Sequence, residues 1–332
     1  MSAQMLKIGP GWKPQFHQIL FIVLAFATAL AAFQVHSGKK TTTLMTHPIR
    51  VMGTSCTLSI TVRNCDVQKG NELLQTAEHE LRQCEQLTST WLNQSEISRI
   101  NSAKVNETVR ISPFTAEFLQ KARQAYDQTD GAFDITCGAV WFYWLMCERE
   151  NRMPDTEELA RIRAESTWDA LEIGRDSVTK KNATVALVTG GLAKGMAIDT
   201  ALKVLTASDE TLSAFVEVGG DIAVYRSKTP IEVENPTAQP TDKKTRKIIT
   251  LENGGVCTSG HHARNFEIQG NQFSQILDPR TGQPVPPHWN VTVTAPTATE
   301  ADYWATACEV LGKDAISRLP DGVTAEFIEG SL

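Results

Sequence analysis

The sequence predicts an α+β fold, with antiparallel sheets flanked by helices, and three observations support it. Short β-type runs crowd together late in the chain, at 248–251, 255–258, 264–269 and 273–277, with no helical pattern between them. Helical periodicity is confined to separate stretches, so the regular strand–helix alternation of a parallel sheet is missing. The doublet Gly219-Gly220, followed by Asp221, divides the apolar run 214–225 and marks a hairpin or a bulge.

The N-terminus is set apart from this pattern. Lys7 and Lys13 precede an apolar core beginning at Ile19, and Ala29-Leu30-Ala31 offers a small-residue cleavage site. Residues 1–36 therefore read as a signal peptide or a membrane anchor, the run from Ile19 to Val35 being nearly long enough to cross a thinned bilayer. No Cys lies near its end, so a lipid-modified anchor is not expected. Residues 37–47 read as a polar linker, and residues 48–332 as one folded domain.

Within that domain the elements follow in order. Arg50 to Val62 alternates in its second half and reads as a strand. Leu73, Leu74, Ala77, Leu81, Cys84 and Leu87 recur at helical spacing, giving a helix over about 71–89. Further helices are expected at 113–128 and, after Pro154, at 155–164. Strand pairs are expected over 167–188, then a glycine turn and a helix over 196–205. The Pro-, Thr- and Lys-rich span 227–247 reads as a loop with its tip at 236–244. A strand at 291–295 and a helix at about 300–311 close the pattern.

The formal charge of −6 over 332 residues argues against nucleic-acid binding by bulk electrostatics. The seven cysteines form no C-x-x-C pair, so a zinc or redox motif is not indicated and most read as small core residues.

Four constellations carry chemistry. The first is Gly190-Gly191-Leu192-Ala193-Lys194-Gly195, between the apolar β-type run Thr184–Val188 and a helix. A strand, glycine turn and helix start leave backbone N–H groups converging on one spot, and Lys194 adds positive charge there, as a phosphorylated ligand requires. It lacks the Ser or Thr of a P-loop and the glycine spacing of a dinucleotide fingerprint, and a close packing turn reads equally well. The second is Asp302 with Thr306, four apart and so on one helix face, a carboxylate and a hydroxyl suited to Mg²⁺. The same segment, Thr299 to Asp302, also fits an N-cap with acids in the first turn. The third is Asp278-Pro279-Arg280-Thr281-Gly282, a turn whose acid and base could hold a polar ligand. The fourth is Thr258-Ser259-Gly260-His261-His262; neighbouring residues of a strand face opposite ways, so the two histidines are not expected to share a metal.

Taken in order, the segments resemble the FAD:protein FMN transferase, or ApbE, family from about Pro48 to Gly330. The resemblance rests on Met52-Gly53-Thr54, Trp91 through Asn101, Phe133-Asp134-Ile135-Thr136, Gly190 to Gly195 with Ala197 and Asp199, Val218 to Asp221, Thr258-Ser259-Gly260, Ile276 to Gly282, and Ala301-Asp302 with Ala305-Thr306-Ala307. It implies a T-fold-like catalytic domain and a Mg²⁺-dependent enzyme. Its members move FMN from FAD to a Thr hydroxyl of an acceptor flavoprotein subunit at the outer face of the membrane and release AMP. Residue by residue, it implies Mg²⁺ ligands at the Ala193 carbonyl, Asp302 and Thr306, and Lys194 facing the diphosphate. It implies flavin contacts from Met52 and Trp91, and an FAD site lined by Asp134, Ile135, Thr136, Gln275 and Ile276. On this resemblance the chain is expected in the periplasm, or anchored to the bacterial inner membrane by residues 17–36.

Four positions depart from the family pattern. Val188 stands where an Asp is usual, and Thr189 is the neighbour expected to take over part of its role. Gln275 stands where the family has the His favoured as base, and an amide does not accept a proton at neutral pH. His261 and His262 stand where an acid and a Tyr are usual, and one of them is expected to supply the base. These departures keep two other readings in play: an FAD-binding carrier that transfers nothing, and a metal-dependent FAD diphosphatase in which water replaces the acceptor hydroxyl.

Overall fold

Alternating apolar residues build the sheet that organises the molecule, here in a computed structural model that describes residues 41–63, 66–233, 247–260 and 265–329. The N-terminal segment 1–36, the loop tip 236–244, and His261 and His262 lie outside the described residues.

In chain order, strands β1 (Thr41–Thr46), β2 (Ile49–Val51) and β3 (Thr54–Arg63) lead into helix α1 (Val67–Thr88) and the short α2 (Glu96–Ser102). Strand β4 (Thr108–Arg110) precedes α3 (Pro113–Gln128), α4 (Gly138–Arg149) and α5 (Thr156–Glu165). Strands β5 (Leu171–Ile173) and β6 (Ser177–Lys180) come before α6 (Ala193–Leu205). Then follow β7 (Thr211–Val218), β8 (Asp221–Tyr225), β9 (Thr229–Val233), β10 (Lys247–Leu251) and β11 (Gly254–Ser259). The chain continues through β12 (Asn265–Ile268), β13 (Asn271–Ser274), β14 (Leu277–Asp278), β15 (Gln283–Pro284) and β16 (Trp289–Ala295). Helix α7 (Ala298–Leu311) and β17 (Thr324–Glu329) end it.

The main sheet runs β1-β3-β7-β8-β11-β16-β17, all antiparallel, with β2 as an extra partner of β3. Along β3, Cys56, Leu58, Ile60 and Val62 turn inward in period two. They share one core with Leu73, Leu74, Ala77, Leu81 and Cys84 of α1 and with the buried faces of α6 and α7. Fully burying a Leu or Ile side chain contributes roughly 2 kcal/mol, so this interface is the main source of stability. A second, smaller core joins α4 and α5 to the β12–β13 hairpin and to Leu277, with Trp144 and Phe266 at its centre.

The α+β class stands, and the helices at 113–128 and 155–164 lie within a residue or two of their expected places. Several elements differ. The linker read over 37–47 is a strand from Thr41 on, because β3 offers it a full edge register, Thr41 opposite Arg63 through Thr46 opposite Leu58. The strand pairs expected over 167–188 end at Lys180; Thr184–Val188 is extended but outside every strand, with one parallel bridge from Ala186 to Cys137. Part of the span read as loop, Thr229–Val233, pairs with β10 as a two-stranded ribbon. Helices α2 and α4 and strand β17 gave no readable period: α2 has seven residues, and α4 is apolar on nearly every side.

Cysteines 56, 84, 147, 257 and 308 are buried free thiols, as expected of small core residues, and Cys137 is half-buried.

Candidate functional site

The site begins where the extended segment before the glycine bend is fixed without a sheet. Asn101 of α2 grips Leu187 as a neighbouring strand would: its Nδ2 donates to the Leu187 carbonyl (2.9 Å) and its Oδ1 accepts the Leu187 N–H (2.7 Å). The buried Lys180 ammonium donates to the Asn101 carbonyl (3.0 Å), and the Val188 N–H donates to Ile135 O (2.8 Å). Thr189 then starts α6, its carbonyl accepting the Ala193 N–H (3.0 Å). Its hydroxyl is buried and donates to Thr88 O (2.9 Å). Among the described residues, the Thr189 hydroxyl thus commits its proton to α1, and its oxygen can still accept a hydrogen bond.

Two close contacts bracket Ala193. The Gly195 N–H donates to Asp302 Oδ2 (2.9 Å), and a Cβ on Gly191 would lie 2.6 Å from Thr306 Oγ1. A Cβ on Gly195 would sit 2.5 Å from Ala298 O and 2.8 Å from Asp302 Cβ, so only glycine lets α6 and α7 approach this closely. Asp199 ties the same crossing: its carboxylate accepts from Ala298 N (2.9 Å), Thr299 N (2.8 Å) and Thr299 Oγ1 (2.5 Å). The cap of α7 is Thr297, whose hydroxyl accepts the Glu300 N–H (3.1 Å), not Thr299, which is the second residue of the helix. Ala193, Asp302 and Thr306 are thus brought together by a helix crossing.

Charge is concentrated there. Asp302 is 5 % exposed; burial, and then the nearby Asp221 carboxylate, push its carboxyl well above the usual range against the pull of Lys194. Lys194 pairs with Asp221, and Asp221 Oδ1 also accepts the Thr258 N–H (3.1 Å). Burial works to lower the Lys194 ammonium, but Asp221 and Asp302 outweigh it and hold it above its ordinary value. Two buried carboxylates thus face one ammonium, leaving an excess of negative charge beside a threonine hydroxyl. That hard-oxygen donor set fits a Mg²⁺ ion.

Asp221, in the segment Val218 to Asp221, joins this cluster without a role that the sequence pattern specifies. The signal was there: an acid directly after a two-glycine loop with positive φ at both residues, opening the buried strand Ile222-Ala223-Val224. The Met52-Gly53 hairpin, also with positive φ at both positions, lies beside that loop, since a Cβ on Gly219 would meet Thr54 Cγ2 at 2.9 Å. Met52 packs half-buried against the main core.

The remaining sequence-predicted residues form an aromatic flank. Trp91, in the loop between α1 and α2, is 62 % exposed and meets the Trp141 ring edge-on at 6.1 Å. The Trp141 indole N–H donates to Gln275 O (3.2 Å), and Ile276 N–H is held by Ser274 Oγ (2.9 Å). Trp141 escaped the sequence reading because the run Trp141-Phe142-Tyr143-Trp144 has no period that says which ring faces out. Asp134 accepts from both the Thr136 N–H (2.8 Å) and the Thr136 hydroxyl (2.7 Å), while burial pushes its pKa up to about 6. Ile135 is 2 % exposed and Thr136 fully buried, so both side chains are part of the interior. Asp278 and Arg280 bond each other across their turn (2.9 Å).

Comparison with known proteins gives one consistent picture. The model of the ApbE family matches residues 52–326. The chain is 30 % identical to the FAD:protein FMN transferase of Haemophilus influenzae, over 88 % of this chain and 86 % of that one. It is 27 % identical to the enzyme of the same name from Escherichia coli K12, over 86 % of each. Among solved structures, it is similar to an ApbE protein of Thermotoga maritima, with TM-score 0.74, 29 % identity, and 87 % and 96 % of the two chains covered. The apo flavinyl transferase ApbE of Pseudomonas stutzeri gives TM-score 0.71 at 25 % identity, with 89 % and 92 % covered.

Proposed function

The chain belongs to the ApbE family, and from that premise we propose that it is an FAD:protein FMN transferase that uses Mg²⁺ to move FMN from FAD to a threonine hydroxyl of an acceptor flavoprotein. The observation that carries this reading is the grouping of Lys194, Asp221, Asp302 and Thr306 around the glycine bend.

The reaction is phosphoryl-group transfer. The threonine oxygen bonds to the phosphorus of the FMN half, the bond from that phosphorus to the bridging oxygen breaks, AMP leaves with the bridging oxygen, and the hydroxyl proton passes to a base. The Ala193 carbonyl, Asp302 and Thr306 would hold Mg²⁺, which supplies charge neutralisation at the diphosphate when bound. Lys194 adds a fixed positive charge, and Asp221, itself anchored by Thr258 N–H, keeps that ammonium from swinging into solvent. Met52 and Trp91 contact the flavin, and Asp134, Thr136, Gln275 and Ile276 frame its site. Gln275 cannot take the proton, so the base is assigned to His261 or His262 on sequence alone. If separate His261→Ala and His262→Ala variants both keep the full transfer rate, that assignment fails. The basic flank and apolar run of residues 1–36 support a location at the outer face of the inner membrane, where acceptors of this kind are expected.

One observation favours a second reading, an FAD carrier without transfer: Val188 brings no carboxylate and Thr189 is engaged with Thr88. One incubation, with FAD, Mg²⁺ and an acceptor domain, separates the cases. Flavin bound covalently to the acceptor supports transfer. Free FMN with AMP indicates a diphosphatase, and intact bound FAD indicates a carrier.

A further inference from the structure

We propose that Trp141 is a positioning residue for FAD binding, locking the exposed Trp91 ring and the Gln275–Ile276 backbone into one wall. This rests on the reading of Trp91, Gln275 and Ile276 as flavin contacts. The two parts of the wall come from distant chain segments, and Trp141 touches both. Its ring lies edge-on to Trp91 at an interplanar angle of 80°. Its indole N–H reaches Gln275 O at 3.2 Å.

Trp141 is itself held from behind. Phe142 lies against it at 5.6 Å and the fully buried Phe266 at 5.7 Å, and Phe266 stacks on Trp144 at 6.0 Å. Trp144 in turn donates its indole N–H to Gly282 O (2.9 Å). A ladder of rings therefore runs from the second core out to Trp91. An exposed indole on a loop would otherwise sample several rotamers, and ordering it on binding would subtract from affinity. The edge-on contact removes that freedom before the ligand arrives. Holding a main-chain carbonyl through a side-chain donor has the same effect on the short link between β13 and β14.

The test compares two substitutions with the intact protein. Trp141→Phe keeps a ring but removes the donor. Trp141→His removes the six-membered ring but keeps an N–H at the same ring position as indole Nε1. FAD affinity, read by flavin fluorescence, should fall about five-fold in W141F, which loses the donor, and recover only in part in W141H, which keeps the donor but loses much of the edge contact with Trp91. In transfer assays the KM for FAD should rise with kcat unchanged. Thermal melting of each variant is measured alongside. Unchanged FAD affinity in W141F, or a loss that only follows lowered melting temperature in both variants, overturns the proposal. Should the wild-type protein bind FAD but transfer nothing, the transferase reading fails while the affinity comparison still decides the role of Trp141. Absence of FAD binding by the wild-type protein overturns both.

Discussion

At the scale of single residues, the site is organised by the placing of carboxylates in a dry environment. Asp302 and Asp221 repel each other, Lys194 offsets part of that repulsion, and both carboxylates are nearly inaccessible to water. Replacing Asp221 by Asn removes a repulsion on Asp302 and the partner of Lys194 at once. Because the Lys194 side chain is 31 % exposed, water recovers part of the loss, and destabilisation of about 2 kcal/mol is expected by urea unfolding. Transfer should fall at least tenfold, because the ammonium is no longer held in place. Asp134 gives a pH signature of its own. Burial raises its pKa to about 6, so the folded state holds its proton more tightly than the unfolded chain does. Its contribution is fully present below about pH 4 and is lost as pH rises through about 6. Asp134→Asn, which keeps an oxygen for Thr136, should therefore leave stability unchanged at pH 4 and raise it by about 2 kcal/mol at pH 8. An equal gain at both pH values would contradict that ionisation.

At the scale of elements, what could be read from the sequence depended on whether an element faces one core. Helix α3 presents one apolar stripe and is capped by Ser112 before Pro113, and its limits were plain. Helix α4 buries most of its side chains in the smaller core and has no stripe to read. Strand β1 is mostly threonine, with Leu44 alone packing on the main core, and its register against β3 makes it a strand. The segment 184–188 reads as a strand by composition, yet its backbone is met piecemeal, by the side chains of Asn182 and Asn101 and by the backbone of Ile135 and Gly138. The spacing of Asp302 and Thr306 was legible because i and i+4 share a helix face. That Asp221 would join them was not, since it depends on the pairing of β8 with β11. The α6–α7 crossing is the element-scale feature most open to test. Gly195→Ala places a methyl 2.5 Å from Ala298 O, pushing the helices apart and breaking the bond from Gly195 N–H to Asp302. A loss of about 3 kcal/mol in stability is expected by denaturant titration, together with loss of Mg²⁺ binding by calorimetry.

At the scale of the whole molecule, the two halves of the proposed FAD site rest on different cores. The charged end sits on α6 and α7, which pack with α1 and β3 in the main core. The aromatic end sits on α4 and the β12–β13 hairpin, in a core of far fewer side chains. Among the described residues, that hairpin forms a two-stranded sheet of its own, apart from the main sheet. A two-stranded hairpin is marginal by itself, so it depends on Phe266, Ile268 and Phe273 packing against α4. The small core should therefore open at lower free energy than the large one, as a separate cooperative unit. Native-state amide exchange reads this directly. Amides of β12, β13 and α4 are expected to exchange together, at least tenfold faster than those of β3 and β7. Bound FAD would bridge the two cores, so saturating FAD with Mg²⁺ should slow exchange in β12, β13 and α4 more than in β3. Uniform protection across both regions without ligand would mean that the aromatic wall is as rigid as the helix crossing, and that FAD meets a fully formed cleft.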